Sequence, residues 1–392
     1  MRRIHIFSHQ SLFVKLLALY FVCLVLGALN IGAVGSLLKV VAFLPAFWWL
    51  CTKHSLRVDR LLISAFLFLG FATLSVFWTI SRPDTLVEMV GSVSLLILLV
   101  AASAYAYSAE NIRFLQKALV WSSRITALII LVSGAHYESR LSLGGILSED
   151  PNYLCAYYLF GMVYAVECVL SGKKYTHKLA GLAELGVYVA LVLASGSRGG
   201  ALAVVVGVAV AAVGGVVQNK MSVKTIVLPL LLISAMAGVY LLAPYLLPQE
   251  VLKRFYVQEI IDSQGTGRYR IWQDYWHIFL NSSVFHQLVG YGDSSLSFLA
   301  LQQRLETFHV AHNIFIERLV GLGIIGLCLF LNMLWQFIKA ALKCKNVFAV
   351  SVLAGLVVLM LSTSFSGKPY WNILIFIVCL ARCSLPAENP YE

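Results

Sequence analysis

The stretch Leu95-Leu96-Ile97-Leu98-Leu99-Val100-Ala101-Ala102 runs for eight residues without a polar side chain. A strand crossing a membrane alternates apolar and polar positions, because one face meets lipid and the other the lumen. This stretch does not alternate, so it reads as helix, and the apolar run around it extends over 86–106. About 20 apolar residues, at about 1.5 Å each, cross the hydrocarbon core of a bilayer. The same ruler laid along all 392 residues marks runs at 12–29, 32–50, 61–79, 86–106, 117–134, 152–170, 179–195, 200–217, 224–243, 314–338, 347–365 and 370–383. Twelve runs predict an all-α, polytopic membrane protein. Arg124 interrupts the fifth.

Composition agrees with that reading. Hydrophobic residues make up 60% of the chain and charged residues only 12%, whereas soluble domains carry about 25% charge. So little charge cannot cover a soluble protein of this size, which excludes a soluble α/β enzyme and a disordered chain. The eight cysteines lie scattered in apolar stretches or at helix ends, with no C-x-x-C pair. Neither a disulfide framework nor a thiolate metal site is suggested. Met1-Arg2-Arg3 before an apolar run reads as the start of a retained first helix.

The net charge is +11. Placing the N-terminus inside puts seventeen of the 29 Lys and Arg on the cytoplasmic side, the bias expected of a multi-pass membrane protein with an even number of spans and both termini inside. The chain then divides into nine spans over 1–243, a large periplasmic loop over 244–311 and three spans over 312–392. That loop carries Lys253, Arg254, Arg268, Arg270 and Arg304 against the topological grain. Its closely spaced Trp, Tyr and Phe argue against disorder. Within it Thr266–Asn281 reads as a helix with Thr266 as N-cap and Arg268, Trp272, Tyr275 and Phe279 at helical spacing. Asn281-Ser282-Ser283 and Gly290-Tyr291-Gly292-Asp293 read as turns. The Ala/Val/Gly-rich stretch 201–217 suits close helix packing.

Four constellations at the outer face could carry chemistry. In Ser195-Gly196-Ser197-Arg198-Gly199-Gly200 the glycines let an anion approach backbone N–H groups, and arginine offers a two-pronged fork for phosphate oxygens. The alternative is a tight hairpin whose arginine snorkels to headgroups. Gly267-Arg268-Tyr269-Arg270 puts two arginines beside a helix start, although Arg270 could instead pair with Asp274 one turn on. His309-Val310-Ala311-His312-Asn313 offers His312, and less distinctly His309, as a general base near neutral pH. A metal pair is the alternative, with Glu317 the only close carboxylate, and a packing histidine is the ordinary one. Glu149-Asp150-Pro151-Asn152 reads either as acidic capping of a Pro-initiated helix or as recognition of sugar hydroxyls. Of the remaining outer basic residues, Arg140 in the segment 134–151 joins the candidates for substrate contact.

These motifs, in this order, resemble those of the O-antigen ligase / O-antigen polymerase superfamily of integral membrane glycosyltransferases. The resemblance rests on Ser195-Gly196-Ser197-Arg198-Gly199-Gly200, on Thr266-Gly267-Arg268 through Trp272, on Gly290-Tyr291-Gly292, and on His312-Asn313 followed nine residues later by Gly323-Ile324-Ile325-Gly326. It covers roughly residues 190–330. It implies a GT-C type fold, a glycan donor carried on undecaprenyl diphosphate, an active site facing the periplasm and no requirement for a metal or a nucleotide sugar. Carried over by motif, Arg198 and Arg268 would hold the diphosphate and His312 would activate the acceptor hydroxyl. Arg270, His309, Asn313, Arg140 and Asn152 complete the expected substrate-contacting set.

The expected activity is polymerisation of O-antigen, capsule or exopolysaccharide, with another lipid-linked repeat as acceptor and a chain-length regulator as an accompanying partner. The alternatives are a ligase that transfers to lipid A–core and, from a different class, a transporter or flippase of lipid-linked sugars. Nucleic acid is not an expected partner. A transporter should show inverted repeats and midplane charges; Arg124 is the main feature on that side.

Overall fold

The computed structural model describes residues 6–23, 34–52, 58–133, 136–137, 140–141, 151–172, 174–218, 245, 248–256, 258–259, 267–303, 310–363 and 368–383. Among the described residues the regular structure is helical, apart from a two-residue antiparallel pairing of His136–Tyr137 with Arg140–Leu141 and an isolated bridge between Tyr107 and Cys383. Helices α1 (Ile6–Val22), α2 (Val34–Cys51), α3 (Arg60–Leu74), α4 (Arg82–Ser103), α5 (Ala109–Ser133), α6 (Pro151–Ser171), α7 (Tyr175–Ala194) and α8 (Arg198–Gln218) come first. Four short elements follow: α9 (Gln249–Lys253), α10 (Arg268–Leu280), α11 (Val284–Val289) and α12 (Leu296–Gln302). The chain then returns as α13 (Ile314–Lys343), α14 (Val347–Leu359) and α15 (Lys368–Ala381).

Seven helices among the described residues are long and apolar enough to cross a membrane: α3 with its 3-10 extension to Phe77, α4, α5, α6, α7, α8 and α13. Shorter apolar helices cover Leu12–Val22, Val347–Leu359 and Pro369–Ala381. The expected run at 224–243 lies outside the described residues. Arg124 does not break its helix. Its guanidinium makes a two-pronged pair with Glu184 of α7, Nε to Oε1 and Nη2 to Oε2, each at 2.8 Å. Trp121 and Tyr164 flank it at 5.1 and 5.8 Å. A charge that meets its counter-charge and two ring faces can stay in an apolar helix.

Helix α6 sits at the centre, buried along most of its length, and packs against α5, α7, α8 and α14. The Ala/Val/Gly-rich α8 lies along α14, where small residues let the two backbones approach. Helix α13 packs against α3, with Phe330 and Arg318 both meeting the Phe68 ring.

A second, smaller core forms at one end of the bundle. Tyr275 and Phe279 of α10 and Leu296 and Leu299 of α12 pack with Ala311 and Val320. Tyr275 and Phe279 are two of the residues read at helical spacing on the loop helix, and they turn inward. The helix begins one residue later than expected: Gly267 occupies the cap position, with φ 76°, and Thr266 lies outside the described residues.

The Gly290–Asp293 segment is more than the turn its sequence suggests. Tyr291 N–H donates to Val320 O at 3.1 Å and Gly292 N–H to Gly321 O at 2.8 Å, while Ile80 N–H donates to Tyr291 O at 3.1 Å. The segment therefore runs between the loop before α4 and the first turns of α13. It can take those two carbonyls because α13 is broken there. Gly323 has φ 68° and ψ −172°, a conformation essentially reserved for glycine. A Cβ at Gly323 would stand 2.3 Å from the Leu288 carbonyl carbon. The first glycine of the Gly-x-x-Gly element is thus a backbone docking point.

Side chains lock the same junction. Asp293 and Arg318 are buried and form an ion pair. Asp293 N–H donates to Ser75 Oγ at 3.0 Å, and Thr85 Oγ1 donates to Asp293 O at 2.7 Å. Glu88 of α4 lies within electrostatic range of both Asp293 and Arg318. A half-buried glutamate in a span thereby faces a charge cluster at the loop junction.

Candidate active site

The turn between α7 and α8 is held from beneath. Ser197 Oγ donates to Asn152 Oδ1 of α6 and accepts from Gly200 N–H at 2.9 Å. Ser195 Oγ accepts from Ser197 N–H at 3.3 Å and donates to Val192 O at 2.6 Å. Ser195, Ser197 and Asn152 are all buried. The serines therefore close the turn, while Arg198 stands half-buried at the start of α8. Asn152, expected at the substrate, is instead buried under the turn and bonded to Ser197.

Arg198 has two cationic neighbours. Its electrostatic surroundings include the guanidinium groups of Arg254 and Arg268 and the carboxylate of Glu259. Like charges this close repel one another, and an anion set among them relieves that repulsion. Arg268 opens α10 and is half-buried; Arg270, two residues on, is exposed. Two residues rotate a helix by about 200°, so the pair does not act on one ligand face.

Arg268 is tied to the His312 segment through its own helix. Trp272, one turn after Arg268, donates its indole N–H to Ala311 O at 2.8 Å. His312 follows immediately and is half-buried, with φ 47°, a left-handed conformation uncommon outside glycine. Asn313 caps α13, its Oδ1 accepting from Phe315 N–H at 3.0 Å and Ile316 N–H at 3.3 Å. That accounts for the asparagine in a position expected to touch substrate: it fixes the helix start that aims His312.

The end of α14 joins the histidine to the arginine turn. Ile314 N–H donates to Met360 O at 3.0 Å. Two residues on, Ser362 lies so close to Gly199 that a Cβ on that glycine would come within 2.1 Å of Ser362 Oγ. Arg198, Arg268 and His312 are thus gathered at one end of the bundle by two short bridges. Beside them Tyr275 is buried, and burial, with Glu317 and Asp274 nearby, holds its phenol well above the usual range. It stays protonated. His309 lies outside the described residues, and Arg140 belongs to the short pairing after α5.

Sequence reasoning missed the part taken by Arg254. It registered only as one of several loop cations on the unexpected side; nothing in its local sequence points to the 195–198 turn, 56 residues away along the chain.

Residues 185–331 match the family model described as O-antigen ligase. The matched segment holds the Arg198 turn, α10, the Gly290–Asp293 ladder, His312 and the broken half of α13. No curated protein matches the sequence. Among solved structures, one chain is similar at 17% identity and a TM-score of 0.47, over 82% of this chain and 96% of that one. It comes from work described as "Structural coordination of polymerization and crosslinking by a peptidoglycan synthase complex". A likeness that loose assigns no activity. The match over 185–331 takes in every motif that carried the resemblance and makes that segment similar to the O-antigen ligase family.

Proposed function

We propose that this protein is a polymerase of bacterial surface polysaccharide. It would transfer a glycan from undecaprenyl diphosphate to a sugar hydroxyl of another lipid-linked repeat, at the periplasmic face of the inner membrane. The observation that carries this reading is the convergence of Arg198, Arg268 and His312 at one end of an apolar helical bundle.

The chemistry follows from those groups. The acceptor hydroxyl oxygen attacks the anomeric carbon, and its proton passes to the His312 imidazole. The bond from that carbon to the diphosphate oxygen breaks, and its electron pair leaves with the diphosphate. Arg198 and Arg268, fixed before the reaction, meet the negative charge as it develops. Direct displacement of this kind inverts the anomeric centre. The apolar flanks of the helices suit a prenyl tail.

Ligation to lipid A–core is the second reading, favoured by the description of the matching family model. A deletion strain separates the two: one repeat on the core signals a lost polymerase, while bare core with accumulated lipid-linked chains signals a lost ligase. Transport loses its main support, because Arg124 is paired with Glu184. Purified protein given a synthetic lipid-linked donor and acceptor in detergent should form longer chains without two compartments. His312→Ala and Arg198→Ala should each cut product by at least about a hundredfold at normal protein levels. Full activity of both variants would overturn the reading.

A further inference from the structure

We infer that Arg254 is a third cation of the diphosphate site, held against the Arg198 turn by a reciprocal pair of hydrogen bonds. Arg198 Nε donates to the backbone carbonyl of Arg254. Arg254 Nε donates in return to the backbone carbonyl of Gly196 at 3.2 Å. The two guanidinium groups are therefore clasped across the same turn, each oriented by the backbone beside the other.

The segment that brings Arg254 is anchored rather than trailing. Val251 and Leu252 of α9 are buried, Leu252 belongs to the main core, and Phe255 packs against that core. Arg254, between Leu252 and Phe255, is half-buried. Two apolar neighbours set into the bundle leave its side chain little choice of direction.

The charge balance gives the position its meaning. A guanidinium does not gain by standing beside another guanidinium; the contact costs repulsion and desolvation. A diphosphate group, with its several anionic oxygens, relieves that repulsion and accepts hydrogen bonds from more than one fork at once. Among the described residues, Glu259 is the carboxylate that acts against this repulsion at Arg198. The inference rests on the proposed diphosphate chemistry of this end of the bundle and extends it to a residue outside the motifs.

The test is binding of farnesyl diphosphate to the purified full chain in detergent. Arg254→Gln keeps an N–H donor for Gly196 and removes only the charge; it should weaken binding by about tenfold. Arg254→Lys keeps the charge and should stay within about threefold of the unaltered protein. Wild-type binding by R254Q, or equal weakening in R254K and R254Q, overturns the inference. Arg198→Ala is the control on the underlying reading. Weak binding by R198A beside wild-type binding by R254Q sinks only the role of Arg254. Absence of binding in the unaltered protein, or wild-type binding by both variants, sinks the diphosphate site itself. Phenylglyoxal labelling of the unaltered protein, read by mass spectrometry, needs no variant. Farnesyl diphosphate should protect Arg254 together with Arg198 and Arg268; an Arg254 that labels at full rate beside a protected Arg198 overturns the inference.

Discussion

The indole N–H of Trp272 and the carbonyl of Ala311 are 2.8 Å apart, and this one hydrogen bond couples the helix that begins with Arg268 to the turn that carries His312. The acceptor residue is fully buried, so water is poorly placed to replace the donor. Leaving such an acceptor unmet costs about 1–3 kcal/mol. Trp272→Phe keeps the ring and removes the donor. Chain-forming activity should fall by roughly tenfold, measured per folded molecule, while the protein still elutes as a single species. Trp276→Phe, on the exposed side of the same helix, should leave activity within twofold.

A buried ion pair holds the loop junction to the bundle. Asp293→Ala leaves Arg318 charged, buried and without that carboxylate, which costs about 3–5 kcal/mol. Thermal unfolding in detergent should shift down accordingly. The double variant Asp293→Ala/Arg318→Met removes both charges and should recover at least half of the lost stability. If the single and double variants melt together, the pair is not what secures the junction.

Gly323 predicts a backbone effect. Alanine there must adopt a conformation costing about 1–3 kcal/mol and would meet the Leu288 carbonyl at 2.3 Å. Gly323→Ala should therefore destabilise the protein and lower activity together. Gly91→Ala is the matched control: nothing stands within 4 Å of a Cβ at that helical position, and the change should be neutral or stabilise by up to about 1 kcal/mol. Equal melting curves for the two variants would refute the docking role of Gly323.

Arg124 separates enzyme from transporter. Arg124→Ala strands Glu184 in a partly buried site and should cost on the order of 1–3 kcal/mol, between the worth of an exposed pair and that of a fully buried one. Polymer yield per folded molecule should not change, because the pair lies between α5 and α7, away from the Arg198 turn. A specific loss of activity at full stability would contradict this.

The sequence made the apolar helices legible because lipid permits no interruption: a backbone in hydrocarbon must satisfy itself, and its side chains must be apolar throughout. Arg124 looked like a flaw in that pattern because its partner Glu184 sits sixty residues later, on another helix. Arg198, Arg268 and His312 could be picked out by residue type and motif, and the structure brings their segments to one end of the bundle. The site was not legible where backbone meets backbone. The pairing of Tyr291 and Gly292 with Val320 and Gly321 uses only amides and carbonyls, which leave no mark on residue type beyond the glycines. Asn152 and Asn313 were visible as polar residues at helix starts, yet each serves the scaffold. An asparagine that caps a helix and one that binds a sugar are the same letter.

The interruption at Gly323 divides one continuous rod into two mechanical parts. Val320 and Gly321 give their carbonyls to the Tyr291–Gly292 segment, and Ile316, Leu319 and Val320 pack with α10 and α12, whereas beyond Gly323 the ring of Phe330 meets Phe68 of α3. Amide hydrogen exchange should accordingly report the first two turns of α13 opening in step with residues 284–300, and out of step with the remainder of their own helix. In this molecule, membership of a folding unit crosses the covalent order of the chain.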